Sequence, residues 1–422
     1  MVLLLDRIFS SILYILPRSE GLEKYAKALY FLGFLCYCPL MGIRIILFTM
    51  VMVLAFCGSL FGGLGEEIQR ACSISLAQMG LLMSLSQVGS FVSFVTLPLL
   101  AKKLSPYSLL IGGILASSVT LLGMGFSRNI LFFGTFFLLN ALGGYLYGTS
   151  NVIVLINVDR AHMKTNIPLM HLIFSIASIF SGYYITYLKL HTWYHGYMQM
   201  ALAYLIMGLL FIAFKPEGTE QWERRKGQKL ADSFSLLRNR SFKKYLVFLI
   251  IANSVEYCNV VYPLLAISQL YHGGAKEVGL AIIMLHTGST LSRLFAIPLL
   301  KKGFAPQRLL LVHCLLSMLG LGGFFFAPTL AFAYLSMTLM GLGMGGVNPI
   351  SQVLEISRWP VDLLQLANIR SMGSTLGRIG MPLAVGVVIS FYSLSVSFLL
   401  LSLSMGLAAL FLLASKEEST PC

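Results

Sequence analysis

FVSFVTLPLLAKKLSP, residues 91–106, carries an apolar run into a proline, two lysines and a turn, and LFAIPLLKKGFAP, residues 294–306, does the same. Subtracting 98 from 298 gives an offset of 200 between Pro98 and Pro298, and Lys102 and Lys302 keep it, as do Pro106 and Pro306. Further along, NALGGYLYG from Asn140 and MGLGMGGVN from Met340 align at the same offset and set Gly143 over Gly343. The chain therefore reads as two copies of one architectural plan.

Composition fixes the solvent of that plan. Hydrophobic residues make up 57% of the chain and charged residues 11%, and mean hydropathy is +0.83, far from soluble globular proteins. A helix needs roughly 20 apolar residues to cross a bilayer, and apolar runs occur near 43–65, 77–100, 107–127, 130–156, 168–188, 196–214, 244–270, 278–300, 308–327, 330–354, 369–391 and 394–414. This predicts an all-α membrane protein of about twelve spans in two pseudo-symmetric six-helix bundles. The glycines at 341, 343, 345 and 346 make the tenth span irregular and suit close helix approach. In this setting Pro98 and Pro298 end the second helix of each half, and the lysines anchor the turn that follows.

The implied divisions are an N-terminal segment 1–42, a bundle 43–214, a basic linker 215–243, a second bundle 244–414 and a tail 415–422. The segment 29–40, LYFLGFLCYCPL, is too short to span comfortably; it reads as an interfacial helix or as sequence upstream of a true start at Met41 or Met50. The formal charge of +14 does not mark a nucleic-acid surface, because Lys and Arg lie in short stretches between apolar runs. They serve as orientation signals. Lys102, Lys103, Arg160, Lys164, the 215–244 stretch, Lys301, Lys302, Arg308 and Arg358 fall on one side, against Arg70, Arg128, Lys189 and Lys276 on the other. The positive-inside rule then puts both termini in the cytoplasm, with the plasma (inner) membrane as the expected location and the lipid bilayer as the surrounding partner. A monomer is the expected unit.

The seven cysteines lack metal-ligand spacing and lie mostly in apolar runs, where they act as small core residues. No cofactor, soluble catalytic domain or nucleophile motif is indicated, so an enzyme is not expected.

Intramembrane charges are the first functional candidates, because an ionisable group in hydrocarbon costs several kcal/mol unless it is paired or wetted. Glu256 lies 12 residues after Lys244, about 18 Å along a helix and close to the midplane. It is the candidate proton- or substrate-binding carboxylate, with a structural partnership to an arginine as the alternative. Asn253 and Tyr257 lie near its face, and Asn259 one turn on. Arg378 and Arg293 can each bind an anionic or hydroxyl-rich ligand through fixed guanidinium donors, or serve as a gate or inter-helix ion pair. Gln87, Asn140, Asn348 and His286 suit hydrogen bonds to a polyhydroxy solute, and each equally suits a bond to a neighbouring helix. Tyr147 is a candidate for stacking on a sugar ring. His171 and His313 read as packing or interface residues, and Glu66 and Glu67 as a solvated outer loop.

Two parallel six-span halves are the architecture of major facilitator transporters, whose substrate site lies between the halves. The motifs resemble one branch, the fucose permease family of sugar–proton symporters, over nearly all of 43–414. The resemblance rests on SISLAQMGLL (73–82), PLLAKKLSPYSLLIGGI (98–114), STLSRLFAIPLLKKGFAPQRLL (289–310), GLGMGGVNP (341–349), GSTLGRIGMPLAVG (373–386), and on Asn151 followed by His171. It implies alternating-access transport of a small polar solute such as a sugar, with or without a proton, and gating roles for Arg293, Asn151 and His171. Two departures stand out: the family's helix 1 acid falls on Ser59 and its helix 4 glutamate on Tyr147. An exporter of amphipathic compounds and a transporter-like receptor that binds without moving solute are the alternative readings.

Overall fold

The computed structural model describes residues 39–159, 163–215, 234–359 and 363–415. The expectations for 1–38, for most of the linker and for the tail lie outside the described residues. Helices α1 (Pro39–Gly63), α2 (Gly65–Cys72), α3 (Leu76–Leu100), α4 (Pro106–Phe126), α5 (Ile130–Val158), α6 (Met163–Leu190) and α7 (Tyr194–Ala213) form the first half. The second half contains α8 (Arg240–Asn259), α9 (Tyr262–Gln269), α10 (Ala275–Lys301), α11 (Pro306–Phe325), α12 (Leu330–Gly345), α13 (Val347–Arg358), α14 (Leu363–Phe391) and α15 (Leu394–Ala414). Among the described residues, 12 helices are long and apolar enough to cross a membrane; α8 with α9, and α12 with α13, each make up one span. Exposed Val119, Leu131, Phe132 and Phe391 leave apolar side chains facing outward, as lipid requires and water would penalise.

The 200-residue offset governs the whole fold. It relates α1 to α8, α3 to α10, α4 to α11, α6 to α14 and α7 to α15, overlaps α2 with α9 over 65–69 and 265–269, and sets α5 over α12 plus α13. Local signals repeat with it: Asn129 caps α5 by accepting from the Phe132 N–H, and Thr329 caps α12 by accepting from the Phe332 N–H, each satisfying an otherwise unpaired first-turn donor. A Cβ on Gly143 would stand 3.0 Å from the Ser117 hydroxyl, and Gly343 lies against Ser317, the residue 200 positions on. Small residues thus let the third and fourth helices of each half approach closely.

Pro98 and Pro298 differ from the sequence reading in one respect. Both lie inside the last turn, with α3 running on to Leu100 and α10 to Lys301, because only the bond that the proline nitrogen would donate is lost there. After α10, Gly303 adopts φ +83°, and the N–H groups of Gly303 and Phe304 turn back to the Leu300 and Leu299 carbonyls at 3.0 and 3.1 Å, a C-terminal cap that favours glycine.

The halves meet most closely on the face opposite the linker. Gln269 donates to Gln69 at 2.8 Å, Thr186 to the Ala275 carbonyl at 3.3 Å, and Gly62 faces Val260 while Gly182 faces Gly279. The reading of Glu66 and Glu67 as a solvated loop is corrected here. They occupy the first turn of α2, and Lys189, only 5% exposed, reaches Glu67 at 2.5 Å and Glu66 at 3.6 Å, while Arg70 pairs with Glu66. Those cations allow the two carboxylates to pack against the bundle. Burial alone would push Glu66 up, but the Arg70 hydrogen bond and the charges of Lys189 and Arg70 hold it below the ordinary carboxylate value.

Candidate functional site

The second half breaks two of its spans in the region of the central polar residues. The seventh span breaks at Val260 and Val261, just past Glu256, and the tenth at Gly346, just before Asn348. Around these breaks Asn348 donates from Nδ2 to Glu256 Oε2 at 2.9 Å. The other end of that amide, Oδ1, accepts from Arg370 Nη2 at 2.6 Å, so one residue joins an acid to a base and its orientation is fixed by both. Arg378 Nη2 lies 4.0 Å from Glu256 Oε2, with the two side chains 33% and 24% exposed. Its other contacts are long, 3.4 Å from Nε to the Asn253 carbonyl and 3.4 Å from Nη2 to Asn253 Oδ1, and its Cζ stands 6.0 Å from the centre of the Tyr257 ring.

Of the residues singled out in the sequence, Glu256, Asn253, Tyr257, Asn348 and Arg378 thus come together. Gln87 joins them from the first half by approaching the Tyr257 hydroxyl, which also pairs with Ser86 at 2.8 Å. Asn259 is 2% exposed, and neither amide atom has a partner among the described residues. His286 lies seven residues before Arg293 on α10, and His171 presents its backbone carbonyl to that arginine.

Arg293 joins the halves. It donates from Nε to the Gly345 carbonyl at the tenth-span break (3.2 Å), from Nη1 to the His171 carbonyl (3.4 Å), and to the Ser175 hydroxyl. The ring of His171 itself is exposed. Asn151 is buried and, among the described residues, reaches the Met170 sulfur at 3.9 Å.

Two candidates lie elsewhere. Asn140 accepts from Thr120 at 3.2 Å inside the first half. Tyr147 is 3% exposed, its hydroxyl 2.5 Å from that of Tyr204, and its ring meets that of Tyr204 edge to face inside the bundle. Ser59, the other position where the resembled family carries an acid, is buried and pairs with Ser181 at 2.7 Å. His313 packs as expected, held by Ser292 at 2.9 Å and the Leu309 carbonyl at 2.7 Å.

Sequence reasoning missed the adjoining network. Arg370 donates to Glu355 at 3.2 Å and to the Ser351 hydroxyl at 3.0 Å, and Tyr245 donates to Glu355 at 2.9 Å. A continuous polar chain therefore runs from Tyr245 through Glu355, Arg370 and Asn348 to Glu256 and Arg378. The missed signal was the repeat itself: 200 residues earlier the matching positions hold Leu155, Met170 and Ile45, so three apolar positions of one copy are polar in the other.

Comparison with known proteins follows the same lines. The structure resembles that of the nucleoside transporter NupG, both in a point-mutant form (TM-score 0.75, 14% identity, covering 90% of this chain and 100% of that one) and in a second structure (TM-score 0.73, 15% identity, covering 89% and 98%). It also resembles a D-xylose-proton symporter (TM-score 0.75, 12% identity, covering 91% and 99%). Identities this low speak for the fold alone. No curated protein sequence matches the chain. The profile of the Major Facilitator Superfamily matches residues 29–368, and with twelve apolar helices in two repeated bundles the chain belongs to that superfamily of membrane transporters.

Proposed function

We propose that the chain is a secondary transporter that moves a small, hydroxyl-rich solute by alternating access, coupled to a proton. The observation that carries this reading is the half-exposed Glu256–Asn348–Arg378 cluster between two broken spans. Broken helices are where this kind of fold builds binding sites, and an intramembrane carboxylate open to a cavity is suited to exchanging a proton. Gln87 and Tyr257 supply hydroxyl-binding groups, with Asn253 buried behind them against Arg378, and Arg293 links the halves on the linker side as a gate. The basic residues of that side favour a cytoplasmic linker and termini in a plasma (inner) membrane, so the closely joined face is the outer one, closed in this state. Within the superfamily, the motifs at 289–310 and 373–386 support kinship with the fucose permease branch. The similarity of the fold to nucleoside and xylose transporters agrees with a sugar-like solute.

Uptake by proteoliposomes containing folded monomer tests the reading. A pH gradient should drive accumulation of a member of a panel of sugars, nucleosides and sugar acids. Failure of the whole panel to cross would refute it.

A further inference from the structure

We infer that the solute is an anion, a hydroxyl-rich compound bearing a carboxylate, and that Arg378 seats its charge; the inference rests on the transporter reading above. Five charged side chains of the second half form or adjoin the central cluster: Arg293, Arg370 and Arg378 against Glu256 and Glu355. Glu355 and Arg370 are closed on each other at 3.2 Å, with side chains 6% and 13% exposed. Glu256 stands 4.0 Å from Arg378, and Arg293, bonded to the Gly345 carbonyl three residues before Asn348, donates only to neutral acceptors among the described residues.

Three guanidiniums against two carboxylates leave one positive charge in surplus even with both acids ionised, because arginine does not give up its proton. A proton on Glu256, Glu355, His171 or His286 enlarges that surplus. Among the described residues, the groups of the first half bonded to this cluster, Ser84, Ser86 and Gln87, are neutral. An unbalanced charge within spans is costly until a counter-charge arrives.

Arg378 is the guanidinium left open for it. Its side chain is 33% exposed against 13% for Arg370, its polar contacts are all 3.4 Å or longer, and Nη1 has no partner among the described residues. A carboxylate fits such a fork through two parallel hydrogen bonds, while Gln87 and Tyr257 lie within the same cluster to meet hydroxyls, and Asn253, 2% exposed and bonded to the Leu249 carbonyl, backs Arg378 from behind. The arriving carboxylate displaces Glu256 as the partner of Arg378, and a proton on Glu256 removes the repulsion between the two acids. Solute and proton therefore favour each other's binding.

Equilibrium binding to the purified full-length protein, with D-glucuronate and D-glucose as probes of one ring skeleton, tests the inference. Glucuronate should bind at least about tenfold more tightly than glucose. Arg378→Gln, checked for an unchanged melting temperature, should erase that preference, and Arg378→Lys should retain part of it as a point charge without the fork. If Arg378→Gln does not fold, the wild-type preference and its partial retention in Arg378→Lys carry the test. Equal or tighter binding of glucose, an undiminished preference in folded Arg378→Gln, or competition by chloride or inorganic phosphate as strong as by glucuronate would each overturn it. Uptake of neutral sugars or nucleosides without anion preference would overturn this inference and leave the transporter reading standing.

Discussion

Replacing Glu355 and Arg370 by the residues that stand 200 positions earlier, Leu155 and Met170, turns the internal repeat into its own control. In Arg370→Met, Glu355 keeps the Tyr245 hydroxyl but loses its counter-charge in a site only 6% exposed, and stranding a buried charge costs about 3–5 kcal/mol. Glu355→Leu leaves Arg370 on the Asn348 and Ser351 oxygens, so its cost falls at about the lower end of that range. The double variant removes both charges in favour of side chains that already pack at this level of the first half, and should return to within about 1 kcal/mol of the wild type. Unfolding followed in one detergent for all four proteins gives the coupling energy directly. If the two losses simply add, the pair is not coupled and the network described here does not hold that region together. Solute binding should still be weaker in the double variant, since Asn348 loses the donor that fixes its amide toward Glu256.

Glu256→Gln should abolish accumulation driven by a pH gradient while leaving solute counterflow in place; retained gradient-driven accumulation would remove Glu256 from coupling. Cysteines at Gln69 and Gln269, joined by a short bifunctional reagent that a reductant cleaves, should stop uptake reversibly, whereas neither single variant should respond. A Cβ at residue 279 would stand 2.6 Å from the Gly182 carbonyl oxygen, so Gly279→Val should prevent closure of the face opposite the linker and raise labelling of the cavity from that side. Glu66 is held below its ordinary value of 4.5, so its ion pairs stabilise the fold above that pH and the contribution is lost as pH falls through the lowered value. With about a quarter of the side chain exposed, the effect should be below about 1 kcal/mol; melting curves of the wild type and Glu66→Gln should converge at acid pH.

The spans were legible because lipid leaves one strong signal, an apolar run of sufficient length. The run 394–414 coincides with α15, the ends at 100, 130, 330 and 391 match as well, and the remaining ends differ by a few residues. The differences are informative where charges are concerned. Placing the ends of the tenth and eleventh spans at 354 and 369 put Glu355 just outside one and Arg370 at the edge of the other, so neither stood out as a charge within a span. Their mutual neutralisation lets α13 reach Arg358 and α14 begin at Leu363. Depth along a helix was equally readable, which is why Glu256 was found by counting from Lys244. The direction a ring faces was less so: Tyr147 sits at a plausible depth but turns toward Tyr204, a choice made by packing partners that no spacing in its own helix reveals.

Because the charged members of the central chain all belong to one copy of the repeat, a swing of one bundle against the other carries them as a unit. Their mutual separations are preserved while the neutral wall opposite them comes and goes. What alternates at Glu256 and Arg378 is then the amount of water that reaches them and so the strength of their mutual attraction: the wiring stays constant and its insulation is stripped and renewed with each cycle.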